Sequence, residues 1–250
     1  MCALALAVAS AAAVGFAQDR GFFGGRRRAP VVIDDHVVPY DGRFAFVRLR
    51  YDAPFSRRDP GWAHDYPRAD RHFMRILAEL TYLRPHLDES NILAVDDPAL
   101  FEYPVAYMSE PGYWSMTPAQ VSSLRAYLDK GGFLIFDDFR GAHWYNFQDR
   151  IRELYPEGRL VELDVSHPIF HSFFEISSLD FVQFYDRSER PVFYGLYEDN
   201  DPDKRLLLVA NYNNDIGEYW EFSDQGYVPI DLSNEAYKLG VNYVMYAMTH

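Results

Sequence analysis

Gly132-Phe-Leu-Ile-Phe136, running into Asp137-Asp138, is the stretch that decides the fold. An unbroken apolar run of strand length suits a strand buried on both faces, and such strands belong to parallel sheets covered by helices. The helix before it is signalled at both ends. Thr117 stands at the N-cap, Pro118 at the first helical position, and Gln120 completes a capping box. Lys130-Gly131-Gly132 then supplies a basic last turn and a glycine stop. Upstream, Arg43-Phe-Ala-Phe-Val-Arg-Leu-Arg-Tyr51 alternates as a strand. A Pro/Gly/Asp-rich loop follows, through Asp59-Pro60-Gly61-Trp62 to Tyr66-Pro67. Asp70 stands at an expected N-cap, with Phe73, Ile76, Leu77 and Leu80 at helical spacing. Asn91 to Val95 and Pro104 to Met108 read as short strands. Downstream the reading places a helix around Asp149 to Tyr155, strands over Arg159 to Asp164 and Arg205 to Ala210, and a terminal helix capped near Ser233. Strands separated by helices imply a doubly wound, mainly parallel sheet.

A chain of 250 residues, 48% hydrophobic, can bury a full core as one domain, and core packing can absorb most of its 19 Tyr and 19 Phe. The net charge of −13 argues against a nucleic-acid backbone as partner, and Arg26-Arg27-Arg28 is too short and irregular a patch to reverse that. Residues 1–17 read as a signal peptide: Cys2 to Ala17 are small and apolar, with Gly15 and Ala17 before the polar Gln18-Asp19-Arg20. No Lys or Arg precedes that run, so the true start can lie upstream. Such a start would revive a lipoprotein reading of Cys2, which otherwise lacks the apolar residues it needs. Residues 18–42 read as a flexible Gly/Arg-rich tether, and 43–250 as a single α/β domain. The expected location is periplasmic or secreted, with no integral membrane segment in the mature chain. Cys2 is the chain's one cysteine, so the mature protein has neither disulfide nor thiol chemistry.

In an open parallel sheet, ligands bind outside the carboxyl ends of the strands. That rule gathers Trp62, His64, Asp65 and Tyr66 after the first strand, Ser109 and Glu110 after the third, and Asp137, Asp138 and Arg140 after the fourth. Asn211, Asn213, Asn214 and Asp215 follow the last long strand. An edge this rich in carboxylates, amides and aromatics suits a divalent cation, with Asp65 and Asp138 as candidate metal ligands, or a sugar or a peptide. Asp and Asn also cap helices and form turns, so the same residues can be structural.

Several motifs together resemble a bacterial domain-of-unknown-function family, number 4159. They are Phe44 to Tyr51, Gly61-Trp62 with Asp65-Tyr66-Pro67, Gly131 to Asp138, and His167-Pro-Ile-Phe-His171. Asn213-Asn-Asp-Ile-Gly217 with Trp220, and Gly240-Val-Asn-Tyr-Val-Met-Tyr246, complete the set. The resemblance spans roughly residues 43 to 249. It implies a flavodoxin-like three-layer sandwich related to class I glutamine amidotransferases and trehalose-utilisation-like domains. It also implies association with membrane-anchored von Willebrand A-type proteins and a chaperone-like ATPase, and it implies no reaction. Amidotransferases carry a cysteine on the turn after the strand that Phe133 to Phe136 resembles, and a histidine after a late strand. Here those turns read Asp137-Asp138-Phe139-Arg140-Gly141 and Asn213-Asn214-Asp215, so neither nucleophile nor base is present and glutamine hydrolysis is excluded.

Ser109 lacks the glycine two residues earlier that a nucleophile elbow uses. His167 and His171 are four apart, as a zinc pair on a helix would be, but Pro168 disfavours a helix through them and loop anchoring is the favoured reading. His64 and His143 lie nearer the strand-end edge and are the better ligand candidates, with a structural role as the alternative for each. Two functions remain open. One is a non-catalytic envelope domain that binds a protein, glycan or cation. The other is a metal-assisted or carboxylate-based hydrolase of a glycan or peptide, with Asp137 or Asp138 as base and Glu110 or Asp65 as acid or metal ligand.

Overall fold

The computed structural model describes residues 37–53, 61–88, 90–180 and 189–250, all within the compact unit Ile33–His250. The expected signal peptide, most of the expected tether, and Arg26 to Arg28 lie outside the described residues. The last part of that tether packs on the sheet. Val38 is buried, its N–H donates to Asn91 Oδ1 at 2.7 Å, and its carbonyl accepts from Asn91 Nδ2 at 3.2 Å and from the Tyr103 hydroxyl.

Seven strands form one sheet: β1 Phe46–Arg50, β2 Ser90–Ala94, β3 Val105–Ser109, β4 Phe133–Phe139, β5 Val161–Glu162, β6 Val192–Tyr197 and β7 Leu206–Tyr212. Their order is β2-β1-β3-β4-β7-β6-β5. The first five in that order run parallel, and β6 and β5 continue the sheet antiparallel. The parallel part therefore has the flavodoxin-like order, which reverses between β1 and β3, and in open α/β sheets ligands bind outside the carboxyl ends of the strands at such a reversal. Among the described residues five α-helices cover the faces: α1 Arg68–Leu80, α2 Pro118–Asp129, α3 His143–Leu154, α4 Ile216–Glu221 and α5 Ile230–Thr249. The architecture is a three-layer α/β sandwich with a mainly parallel sheet.

Side-chain alternation along β4 builds both faces. Phe133 and Ile135 join the cluster formed with α1, α4 and α5, where Phe73 stacks on Trp220 with ring centroids 4.5 Å apart. Gly240 is what lets α5 approach that stack, because a Cβ there would lie 2.6 Å from Trp220 and 2.7 Å from Phe73. Phe136 points the other way, onto Trp114 and Phe147 of α3, at centroid distances of 5.4 and 5.1 Å.

The locally signalled helix forms as read. Thr117 accepts from the Gln120 N–H, the Gln120 side chain accepts from the Thr117 N–H, and Gly131 follows at φ 115°. Two expected caps differ. Asp70 lies inside the first turn of α1, buried as an ion-pair partner, and α5 begins at Ile230 rather than near Ser233. The strand expected over Arg159 to Asp164 shrinks to two paired residues at the sheet edge. β6 and α4 were not anticipated. In β6, Gly195 weakens the strand signal, yet Leu206 and Leu163 side chains come so close that a Cβ would meet them at 2.6 and 3.0 Å.

Candidate functional site

The strand-end edge is held in place by a buried cation. Arg48 lies on the inward face of β1, fully buried, and pairs with Asp70 of α1 at 2.5 Å. Its Nη1 also donates to the carbonyls of Trp62 and His64, at 3.1 and 2.9 Å. The guanidinium thus ties the loop after β1 to the first turn of α1. Burial opposes the charge, but the Asp70 carboxylate outweighs it and raises the Arg48 pKa. Trp62 is buried and packs this loop down rather than presenting its ring at the edge. Tyr66 is half-buried and turns toward Ser90, to which it hydrogen-bonds.

Backbone geometry aims the carboxylates. Asp65, Glu110, Asp138 and Asn213 all take left-handed conformations, at φ 63°, 49°, 56° and 55°. They are four of the seven non-glycine residues with positive φ among those described, and they stand in the loop after β1, just after β3, near the end of β4 and just after β7. Such conformations are costly for side-chain-bearing residues and gather where a site is being shaped. At Asp138 the pairing of β4 with β7 slips between Phe136 and Phe139, a bulge that redirects the side chain away from strict alternation.

The two neighbouring aspartates therefore do different things. Asp137 is fully buried and accepts four hydrogen bonds: from Tyr107 Oη at 2.8 Å, Asn211 Nδ2 at 3.0 Å, and the N–H groups of Ile216 and Gly217 at 3.2 and 2.9 Å. It fastens the start of α4 to the sheet, and Tyr243 of α5 supports it by donating to Asn211 Oδ1 at 2.8 Å. Asp138 instead meets His64, with Oδ2 2.7 Å from Nδ1, and Arg140 lies 3.9 Å from its other oxygen.

Around His64 the carboxylates converge. Asp65 and Glu110 each place an oxygen 3.7 Å from its Nδ1. Donor atoms of His64, Asp65, Asp138 and Asp215 all lie within 4.8 Å of one another, and so do those of Asp65, Glu218 and Glu221. The Asp65 charge, working against burial, pushes the His64 imidazole up to about 10. Burial lifts Asp65 and Asp215 well above the usual carboxylate range, whereas His64 holds Asp138 below it despite burial. Asp215 also caps α4, its Oδ1 accepting from the Glu218 N–H at 2.9 Å. Asp65 is the exception in this network: 2% exposed, it accepts no hydrogen bond on either oxygen. The His64 imidazole stands 3.7 Å from one of its oxygens, beyond hydrogen-bond reach, so both oxygens still lack the donors that buried carboxylates normally acquire and can accept a further partner.

The edge expected from the strand-end rule thus brings together His64, Asp65, Glu110, Asp138, Arg140 and Asp215. Asn214 is buried beside them and turned inward, its Oδ1 accepting from the Asp215 N–H at 2.9 Å. His167 and His171 lie apart from this edge as loop anchors: His167 Nδ1 accepts from the Ile169 N–H, and His171 meets Glu175 and the Val165 carbonyl. Arg48, Tyr107, Glu218 and Glu221 escaped the sequence reading. For Arg48 a signal existed, since it falls in phase with Phe44 and Phe46 on the apolar face of β1.

No curated protein matches the chain. The family described as Domain of unknown function (DUF4159) matches residues 45–248, a span that runs from just before β1 to the last turn of α5 and contains every site residue named above. The chain belongs to that family.

Proposed function

We propose that this protein is an exported binding domain of the bacterial envelope, holding a divalent cation at the strand-end edge through His64, Asp65, Asp138 and Asp215. The observation that carries the reading is the buried Asp65 carboxylate, which has no hydrogen-bond donor and sits among three more potential ligands. Three carboxylates and one imidazole suit Mn²⁺ or a cation of similar hardness. Glu110 and His64, both partly exposed, and Arg140, more exposed still, rim the side from which an external ligand would reach the metal. A glycan hydroxyl, or the carboxylate of a protein partner, is the kind of group that such a cation engages. The von Willebrand A-type membrane proteins implied by the family resemblance are one source of that partner.

Mn²⁺ titration followed by calorimetry and thermal unfolding tests the reading. At about 100 times Kd a bound ligand adds about 2.7 kcal/mol of stability. For a domain of this size that is a rise in Tm of roughly 5–11 °C. If neither Mn²⁺, Ca²⁺, Mg²⁺ nor Zn²⁺ gives heat or a shift, the cation reading is wrong. Convergence of these carboxylates also keeps the hydrolase in play. It requires turnover of ester, peptide or glycoside substrates by the Mn²⁺-loaded protein, where the binding reading expects none.

A further inference from the structure

Asp65 belongs to two ligand groups at once. One contains His64, Asp138 and Asp215; the other contains Glu218 and Glu221. We propose that Asp65 bridges two divalent cations, the second held between its other oxygen and the paired glutamates of α4. This deepens the single-cation reading and rests on it.

Three observations lead there. First, both Asp65 oxygens are buried and neither accepts a hydrogen bond, so the carboxylate has two free coordination positions rather than one. A single cation needs only one of them, and the remaining oxygen would stay buried and unsatisfied. A bridging carboxylate uses both, joining cations of the roughly 3.5–4 Å separation found in two-metal centres. Second, Glu218 and Glu221 are three apart on α4 and therefore share a helix face. Their donor atoms and those of Asp65 fall within 4.8 Å of one another. Third, the start of α4 comes in close because residue 217 is glycine. A Cβ there would lie 2.8 Å from Asp65 Oδ2, so any other residue would occupy the space beside the oxygen that faces α4.

The experiment is Mn²⁺ binding to the full chain by equilibrium dialysis, with electron paramagnetic resonance of the loaded protein. Two Mn²⁺ per chain with an exchange-coupled spectrum are expected. The double variant Glu218→Gln, Glu221→Gln should bind one, with the isolated six-line Mn²⁺ spectrum, and Asp65→Asn should lose the coupling. One Mn²⁺ per wild-type chain overturns the second site while leaving the first, and none removes both. Two Mn²⁺ without coupling overturn the Asp65 bridge. Should the double variant fail to fold, wild-type stoichiometry and coupling decide the matter unaided.

Discussion

Asp70→Asn and Asp65→Asn are the same change at two buried carboxylates five positions apart, and the structure assigns them opposite consequences. Asp70 is 1% exposed and faces a guanidinium that is itself fully buried. The Asn amide retains one acceptor but removes the charge, leaving Arg48 with two backbone carbonyls and no anion at contact distance. Breaking a buried ion pair from one side costs about 3–5 kcal/mol, because the stranded charge stays desolvated. At a urea slope of about 3 kcal/mol per M, the midpoint falls by roughly 1–1.7 M. Asp65 receives no hydrogen bond and lies against other carboxylates, and His64 keeps its 2.7 Å contact with Asp138 when the Asp65 charge is removed, so the loss strands no donor. An Asn amide there can donate to neighbouring carboxylate oxygens, and the midpoint rises. Both unfolding curves are to be measured in EDTA, so that cation binding does not contribute. If Asp65→Asn lowers the midpoint as much as Asp70→Asn, the buried Asp65 carboxylate is satisfied in some other way and the cation argument loses its foundation.

Asp137→Asn should mainly lower stability, by about 1–3 kcal/mol in urea unfolding, since four donors converge on that carboxylate. Asp138→Asn should instead weaken Mn²⁺ binding measured by calorimetry while moving the urea midpoint less. The buried Trp62 ring predicts a loss of about 3–5 kcal/mol for Trp62→Ala, and an unchanged midpoint would place the ring at the surface. His167 is held below its ordinary pKa by burial and accepts a hydrogen bond through Nδ1. Protons therefore bind the unfolded state first at this residue, so its contribution to stability falls as pH drops below about 6.5, and His167→Asn should lose less stability than wild type between about pH 7 and 5.5. Export predicts a mature N-terminus at or near Gln18 in mass spectra of envelope material, and an intact Met1 in the cytoplasm would contradict it.

Legibility followed the range of the interactions. α2 could be read residue by residue, because a capping box, a proline at the first helical position and a glycine stop act within a few residues of one another. The apolar run of β4 and the strand–helix alternation were enough to specify a mainly parallel sheet, and the strand-end rule then placed His64, Asp65, Glu110, Asp138 and Asp215 at one edge. What the chain could not show locally was which polar groups satisfy each other across the fold. Asp70 carries the local signature of an N-cap, and only the approach of α1 to β1 makes it the partner of Arg48. Alternation along β4 already separates Asp137 from Asp138, but only the folded chain, with its slip in pairing between β4 and β7, shows that one meets the N–H groups of α4 and the other His64. Glu218 and Glu221 read as ordinary residues of a short helix until α4 folds against Asp65. Caps and periodicity are written in neighbouring residues, whereas desolvation and charge pairing arise when strands distant in sequence bring their ends together. The sandwich was therefore present in the sequence, and the carboxylate with no donor came into view only with the tertiary structure.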